Sequence, residues 1–160
     1  MVFMENCFKR ACEVMQENFG HIVEMSLASC CDNKVSIREV HAYYRDGKMY
    51  LLSKASNSLM HDIQSCPGVG MCHASNNIYG TARSLGHPLD ASNADLRKFL
   101  KRQFSMNYSD YVNESNPEMR IVEITVTHAE TFTRYHRYEI DFVNQTATRD
   151  HTQPVYIYRQ

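Results

Sequence analysis

With 160 residues, of which 43% are hydrophobic, 22% charged and 11% aromatic, the chain has the balance of an ordinary globular protein, without the polar bias that keeps a chain disordered. Seventeen basic against eighteen acidic side chains leave a net charge of -1, which excludes a broad nucleic-acid or anionic-membrane surface but allows a local basic pocket. The length suits one domain, 1–160, and a chain of this size buries roughly two thirds of its unfolded surface, so a core can form without disulfides.

Residues 1–20, MVFMENCFKRACEVMQENFG, carry acidic residues inside their apolar periodicity and do not read as a signal peptide. No stretch approaches the roughly 20 apolar residues of a membrane span, and a cytoplasmic location is expected. Cys7, Cys12, Cys30, Cys31, Cys66 and Cys72 include no C-x-x-C pair; their spacing supports neither a zinc site nor a disulfide framework.

Met4, Cys7, Phe8, Ala11, Cys12, Met15 and Phe19 form one apolar stripe at helical spacing, predicting a helix over 4–19 that Gly20 stops. From His21 the period becomes two, with Val23, Met25 and Leu27 alternating with Glu24 and Ser26 in a first strand to about Ser29. CCDNK reads as a turn, residues 35–44 as a second strand, and RDGK as the Asp-Gly hairpin into a third strand over 49–53. The apolar parity of the second strand shifts between Val35, Ile37 and Val40, Ala42, Tyr44, so either both faces are covered or a bulge sits near Arg38 and Glu39. A short helix over 58–66 follows, then strands over 69–74 and 78–85, and an amphipathic helix through Leu96, Phe99, Leu100 and Phe104 with Asp90, Ser92 or Asn93 as N-cap. Strands resume over 120–129 and 133–142, and PVYIYRQ adds a short last one. Hairpin-length connections make the sheet largely antiparallel, giving a mainly β fold that closes into a small barrel with flanking helices.

Between the third strand and the short helix, Ser53, Lys54, Ser56, Asn57 and Ser58 bring hydroxyls, an amide and a positive charge to a helix N-terminus. The free N–H groups and dipole of such a terminus favour an anion, and no Glu or Gln stands three residues on to form a capping box. The same residues serve equally as plain helix caps.

The order SIREV, DGKMYLLS, the serine-rich loop, CPGVGM and IYGTARSLG resembles the FMN-binding split-barrel family typified by pyridoxamine 5'-phosphate oxidase, over about residues 21–87 closely and 88–142 loosely. The resemblance implies an FMN-binding split β-barrel, with Arg38 meeting the flavin mononucleotide, Glu39 and Val40 making backbone contacts along the ring, and Leu52 and Ser53 at the strand end. It places Lys54, Ser56 and Ser58 in the phosphate loop and aligns Leu59 with the family's phosphate lysine, a departure that Lys54 could offset from the other side. It further implies a homodimer with the flavin at the subunit interface, where the second subunit offers Ser75 and Asn76; the family's C-terminal Arg and Trp contacts have no clear counterpart in this chain, which has no Trp and offers there only Tyr156 or Arg159. The implied activity is that of an oxidoreductase passing electrons from a small-molecule donor through FMN to an acceptor, with no side-chain nucleophile.

The rival readings are a haem-binding split barrel, a non-enzymatic flavin carrier or sensor, and a member that has lost its cofactor. His128, continuing the alternation of Val122, Ile124 and Val126, reads as a core histidine or, with His136, as a haem-ligand candidate. His41 and His61 read as solvated or hydrogen-bonded, with a ligand-facing role as the alternative. Cys72 and His73, neighbours on a strand, point to opposite faces and make no catalytic pair.

Overall fold

The structure is a computed structural model that describes residues 6–104 and 112–152. Its elements in chain order are α1 (Phe8–Phe19), β1 (Val23–Cys31), β2 (Lys34–Arg45), β3 (Lys48–Lys54), α2 (Ser58–Ser65), β4 (Gly68–His73) and β5 (Asn76–Ser84). A 3-10 turn (Ala91–Asn93), α3 (Ala94–Phe104), β6 (Met119–Phe132), β7 (His136–Asp141) and β8 (Thr146–His151) complete it. All strand pairs are antiparallel, in the order β3-β2-β1-β4-β5-β6-β7-β8. An additional ladder between β3 and β6 joins the ends of the first six and closes a barrel, from which β7 and β8 extend.

Period-two alternation fills that barrel. Val23, Met25 and Leu27 of β1, Ala42 and Tyr44 of β2, Met49 and Leu51 of β3 and Ile124 and Val126 of β6 meet in one core, which α1 joins through Ala11, Val14, Met15 and Phe19. The outward face of α1 is laced by Arg10, which bonds Glu13 and Glu17. A second apolar cluster lies outside the barrel, where Leu100 and Phe104 of α3 cover Tyr50, Met119 and Ile121. Beside it Glu123, 4% exposed, receives hydrogen bonds from Arg83 at 2.9 Å and Tyr50 at 3.2 Å and an ion pair from Lys48 at 3.2 Å. Burial pushes this carboxyl up, but the bonds from Arg83 and Lys48 outweigh it and hold the group below its ordinary range.

The hairpin expected at RDGK forms, with Asp46 at φ 49° and Gly47 at φ 79°, the twice-positive geometry that matches strand twist. Several expectations are corrected. The β1–β2 ladder runs unbroken from Val23–Ala42 to Cys31–Lys34, so no bulge sits at Arg38 and Glu39. The parity shift has another origin: Val35 and Ile37 stand on the outward face, 67% and 72% exposed, while both faces of the strand are covered only over Ala42, Tyr43 and Tyr44.

The bulge lies instead between Tyr79 and Gly80, opposite an extra β6 residue, Thr127, whose hydroxyl bonds the Tyr79 carbonyl. A Cβ on Gly80 would stand 2.4 Å from the Thr125 carbonyl oxygen, so glycine is what lets the strands close there. The extra residue reverses the parity of β6. His128 therefore leaves the alternation of Val122, Ile124 and Val126 and becomes an exposed residue 3.9 Å from Asp141, and Ala129 takes the inward place.

The strand expected over 133–142 is divided: β6 continues to Phe132 and a turn separates β7. β8 was not foreseen, and the strand expected at PVYIYRQ lies outside the described residues. The cap candidates of α3 are used differently: Asn93 is buried and donates to the carbonyls of Leu85 and His87, while Asp90 accepts from the His87 N–H.

Candidate functional site

β2 and β3 pair only at Tyr43–Tyr50, Tyr44–Met49 and Arg45–Lys48. Beyond that point they diverge, β2 held by β1 and β3 by β6, and the barrel wall splits. In the split lies a cleft of about 340 Å³ lined by Arg38, Glu39, Val40 and His41 on β2, Leu51, Leu52 and Ser53 on β3, Asn57, Ser58 and Leu59 at the start of α2, and Phe104 of α3. Arg38 bonded to Ser58 and Asn57 bonded to Ser53 give it a polar end, and Val40, Leu51, Leu52 and Phe104 add apolar wall, so the cleft suits an amphipathic ligand with an anionic head.

The polar end is organised by long-range bonds. Arg38, whose side chain shares the inward face with Val40 and Ala42, sends Nη1 to the Ser29 hydroxyl at 2.7 Å and Nη2 to the Ser58 hydroxyl at 3.2 Å. The Ser29 hydroxyl in turn donates to Asp62 Oδ2 at 2.6 Å, and the same carboxylate oxygen lies 3.7 Å from Arg38 Nη2. Ser29 and Asp62 are buried while Arg38 keeps a partly exposed side chain, so the guanidinium is fixed from behind and presents its remaining edge to the cleft. Ser53 is buried and takes a hydrogen bond from the Asn57 amide at 3.2 Å. Asn57, the N-cap of α2, makes no side-chain cap bond and its carbonyl takes the Met60 N–H, so the N–H groups of Ser58 and Leu59, two residues that line the cleft, have no cap partner.

Of the residues singled out in the sequence, Arg38, Glu39, Val40, Leu52, Ser53, Ser58 and Leu59 converge on this cleft. Leu59 is 3% exposed and belongs to the barrel core, so it adds apolar wall rather than charge. Lys54 is exposed, one residue past Ser53 and paired with Met119, and does not line the cleft. Ser56 turns away and donates to Glu118 at 3.0 Å. Ser75 is exposed in the β4–β5 turn, while Asn76 is spent on structure, accepting from the Thr131 hydroxyl and the Phe132 N–H. Tyr156 and Arg159 lie outside the described residues.

His41 borders the cleft and stands 3.6 Å from Glu24. His128 and His136 do not border it: His128 faces Asp141, and the His136 ring lies 4.8 Å from that of His151, tilted by 42°, on the β7–β8 extension. His73 bonds the Glu24 carbonyl through Nδ1 at 2.9 Å. Ser29 and Asp62 were missed in the sequence. Their signal was available: Ser29 continues the inward alternation of Val23, Met25 and Leu27, and Asp62 stands four residues after Ser58, on one helix face.

No family model and no curated relative matches the sequence. The fold is nonetheless shared with solved structures. The general stress protein 26 of Bacillus anthracis str. Sterne superposes with a TM-score of 0.58 at 14% identity, over 73% of this chain and 89% of its own. A FAD-binding protein of Mesorhizobium loti gives 0.56 at 15% identity, over 76% and 90%. A protein of Clostridium acetobutylicum related to general stress protein 26, of the pyridoxinephosphate oxidase family, gives 0.56 at 10% identity, over 87% and 96%. With its six-stranded antiparallel barrel opened between β2 and β3, the chain has the split-barrel fold of the pyridoxamine 5'-phosphate oxidase-like proteins.

Proposed function

We propose that the chain is an FMN-binding flavoprotein that acts as an oxidoreductase on a small molecule. The observation that carries this reading is the cleft itself: an arginine fixed by Ser29 and Asp62, a free serine-lined helix start, and an apolar wall, all at the split of the barrel. The donors at one end fit a phosphate, and the edges of residues 38–41 and 51–53, which no ladder joins, fit a flat heteroaromatic ring with hydrogen-bonding edges. A bound flavin would supply the electron and hydride transfer. The protein's part is then to hold the phosphate through Arg38 and Ser58, to orient the ring between Val40 and Leu52, and to keep water from one face with Phe104.

A homodimer belongs to the same reading. Ile37 and Val35 on β2 stand exposed beside Ala28 and Cys30 of β1, which pair directly opposite them, and Tyr79 of β5 lies over Gly70 of β4, making a strip of apolar and small residues on the outer face. Such a strip next to the cleft suits burial against a second copy, which would then complete the open side of the site. A cytoplasmic location agrees with six free cysteines, and among the described residues no helix is long and apolar enough to cross a membrane.

The test is the absorbance of freshly purified protein, followed by FMN titration and sedimentation. Flavin absorption with about one FMN per chain supports the assignment. A protein that FMN does not saturate sinks it, and a Soret band would replace flavin by haem. Ile37→Asp should shift a dimer to monomer; a monomeric wild type removes the dimer from the reading.

A further inference from the structure

The far side of Asp62 carries a second constellation. Its Oδ2 faces Ser29 and Arg38, but its Oδ1 lies 3.7 Å from His61 Nδ1. The Cys31 thiol, at the end of β1, completes the group: one ligand atom each from Cys31, His61 and Asp62 lie within 4.8 Å of one another. The parity of the strand brings the thiol there. Cys31 continues the inward parity of Leu27 and Ser29 and so faces α2, which packs on β1. The helix that meets the end of β1 there is the one that carries His61 and Asp62.

We propose that Cys31, His61 and Asp62 form a zinc-class divalent-cation site. A thiolate, an imidazole and a carboxylate are the ligands such an ion takes, at about 2.3, 2.0 and 2.1 Å respectively. Ligand atoms around a common tetrahedral centre at those lengths stand roughly 3.5 Å apart. The present 4.8 Å spread therefore has to contract by little more than 1 Å, and the His61 side chain, 76% exposed, is free to make that movement. The Asp62 carboxylate is already oriented by the Ser29 hydroxyl through its other oxygen, the kind of outer-shell bond that fixes a metal-binding carboxylate. Soft and borderline ions are favoured over magnesium or calcium by the sulfur and nitrogen donors. Three protein ligands leave the fourth tetrahedral position open to an exogenous ligand. Nothing in this assignment depends on what the neighbouring cleft binds.

The experiment uses the full chain, reduced and stripped of metal by chelator, titrated with Co²⁺ as a spectroscopic stand-in and then with Zn²⁺ in competition. One equivalent of Co²⁺ should bring up thiolate-to-cobalt charge transfer and tetrahedral d–d absorption, which one equivalent of Zn²⁺ abolishes. Cys31→Ser should remove the charge-transfer band, and His61→Ala should weaken Zn²⁺ binding by on the order of 100-fold or more. The His61 side chain is 76% exposed, so that second variant should keep its fold, to be checked by circular dichroism. Absence of the band in the wild type, its persistence in Cys31→Ser, or unchanged zinc affinity in His61→Ala would each overturn the site.

Discussion

Replacing Arg38 by methionine keeps most of the aliphatic stem but removes the charge and both hydrogen bonds, to Ser29 at 2.7 Å and Ser58 at 3.2 Å. What remains is Asp62, 6% exposed, with the guanidinium formerly 3.7 Å away gone. Removing one partner of a fully buried pair costs about 3 to 5 kcal/mol; Arg38 is partly solvated, so about 2 to 3 kcal/mol is expected here. For a chain of this length that is a fall in Tm of roughly 4 to 12 °C. The same change should weaken FMN, since a charge-assisted bond to phosphate is worth about 1.5 to 3 kcal/mol, or about tenfold to a hundredfold in Kd. Asp62→Asn separates the two effects. Alone it removes a negative charge from behind the cleft and should tighten FMN; combined with Arg38→Met it should restore at least half of the lost stability, because no buried carboxylate is left without its partner, while FMN binding stays weak. The assays are thermal melts without ligand and flavin fluorescence titrations on all four proteins. Wild-type FMN affinity in Arg38→Met would refute the phosphate role, and a melt unchanged by that substitution would refute the role of the Ser29–Asp62 network.

Glu123 is held below its ordinary carboxyl value of 4.5, so its contribution is fully present above that value and is lost as pH falls through the lower folded one. Glu123→Gln should lower stability by about 1 to 3 kcal/mol at pH 7, with the difference from wild type shrinking below about pH 4.5 in melts taken across pH; a gap that widens on acidification would contradict this. Gly80→Ala places a carbon 2.4 Å from the Thr125 carbonyl oxygen and 2.7 Å from Ile124 Cγ2, and should cost about 2 to 3 kcal/mol in urea denaturation. Gly68→Ala, where nothing lies within 4 Å, is the control and should move the midpoint far less. Leu59→Lys puts an ammonium at a position 3% exposed and should destabilise by about 2 to 4 kcal/mol, yet tighten FMN if the charge can reach out along its stem to the cleft; looser FMN binding would argue against a phosphate at that end.

The features legible in the sequence are those whose cause is local. Asp46-Gly47 specifies its hairpin because only such residues take two positive φ angles, and Ser53 to Ser58 announce a helix start because their chemistry acts within a few residues. The misplacement of His128 has a cause of another kind. A bulge at Tyr79–Gly80 is set by how two strands distant in sequence meet, and its single extra residue turns His128 out of the core and Ala129 into it. β8 escaped because Ala147 is its one buried residue, too few for an alternation to show.

The same division explains why half of the candidate site was legible. Arg38 and Ser58 could be named from motif order, but the residues that aim Arg38, Ser29 and Asp62, lie 9 and 24 positions away and looked like an ordinary strand serine and helix acid. Their inward parity was the clue: a polar residue on an otherwise apolar face must find a partner, and Ser29 and Arg38 share such a face of one ladder. Asp62 is what both then require. That requirement bears on Leu59 as well. With Arg38 held by a buried acid on one side and presented to the cleft on the other, the cation at the polar end comes from the barrel strand, and position 59 is left to pack the core. The function proposed here therefore stands or falls with Arg38 and not with the helix residue that carries the charge in the family this chain resembles.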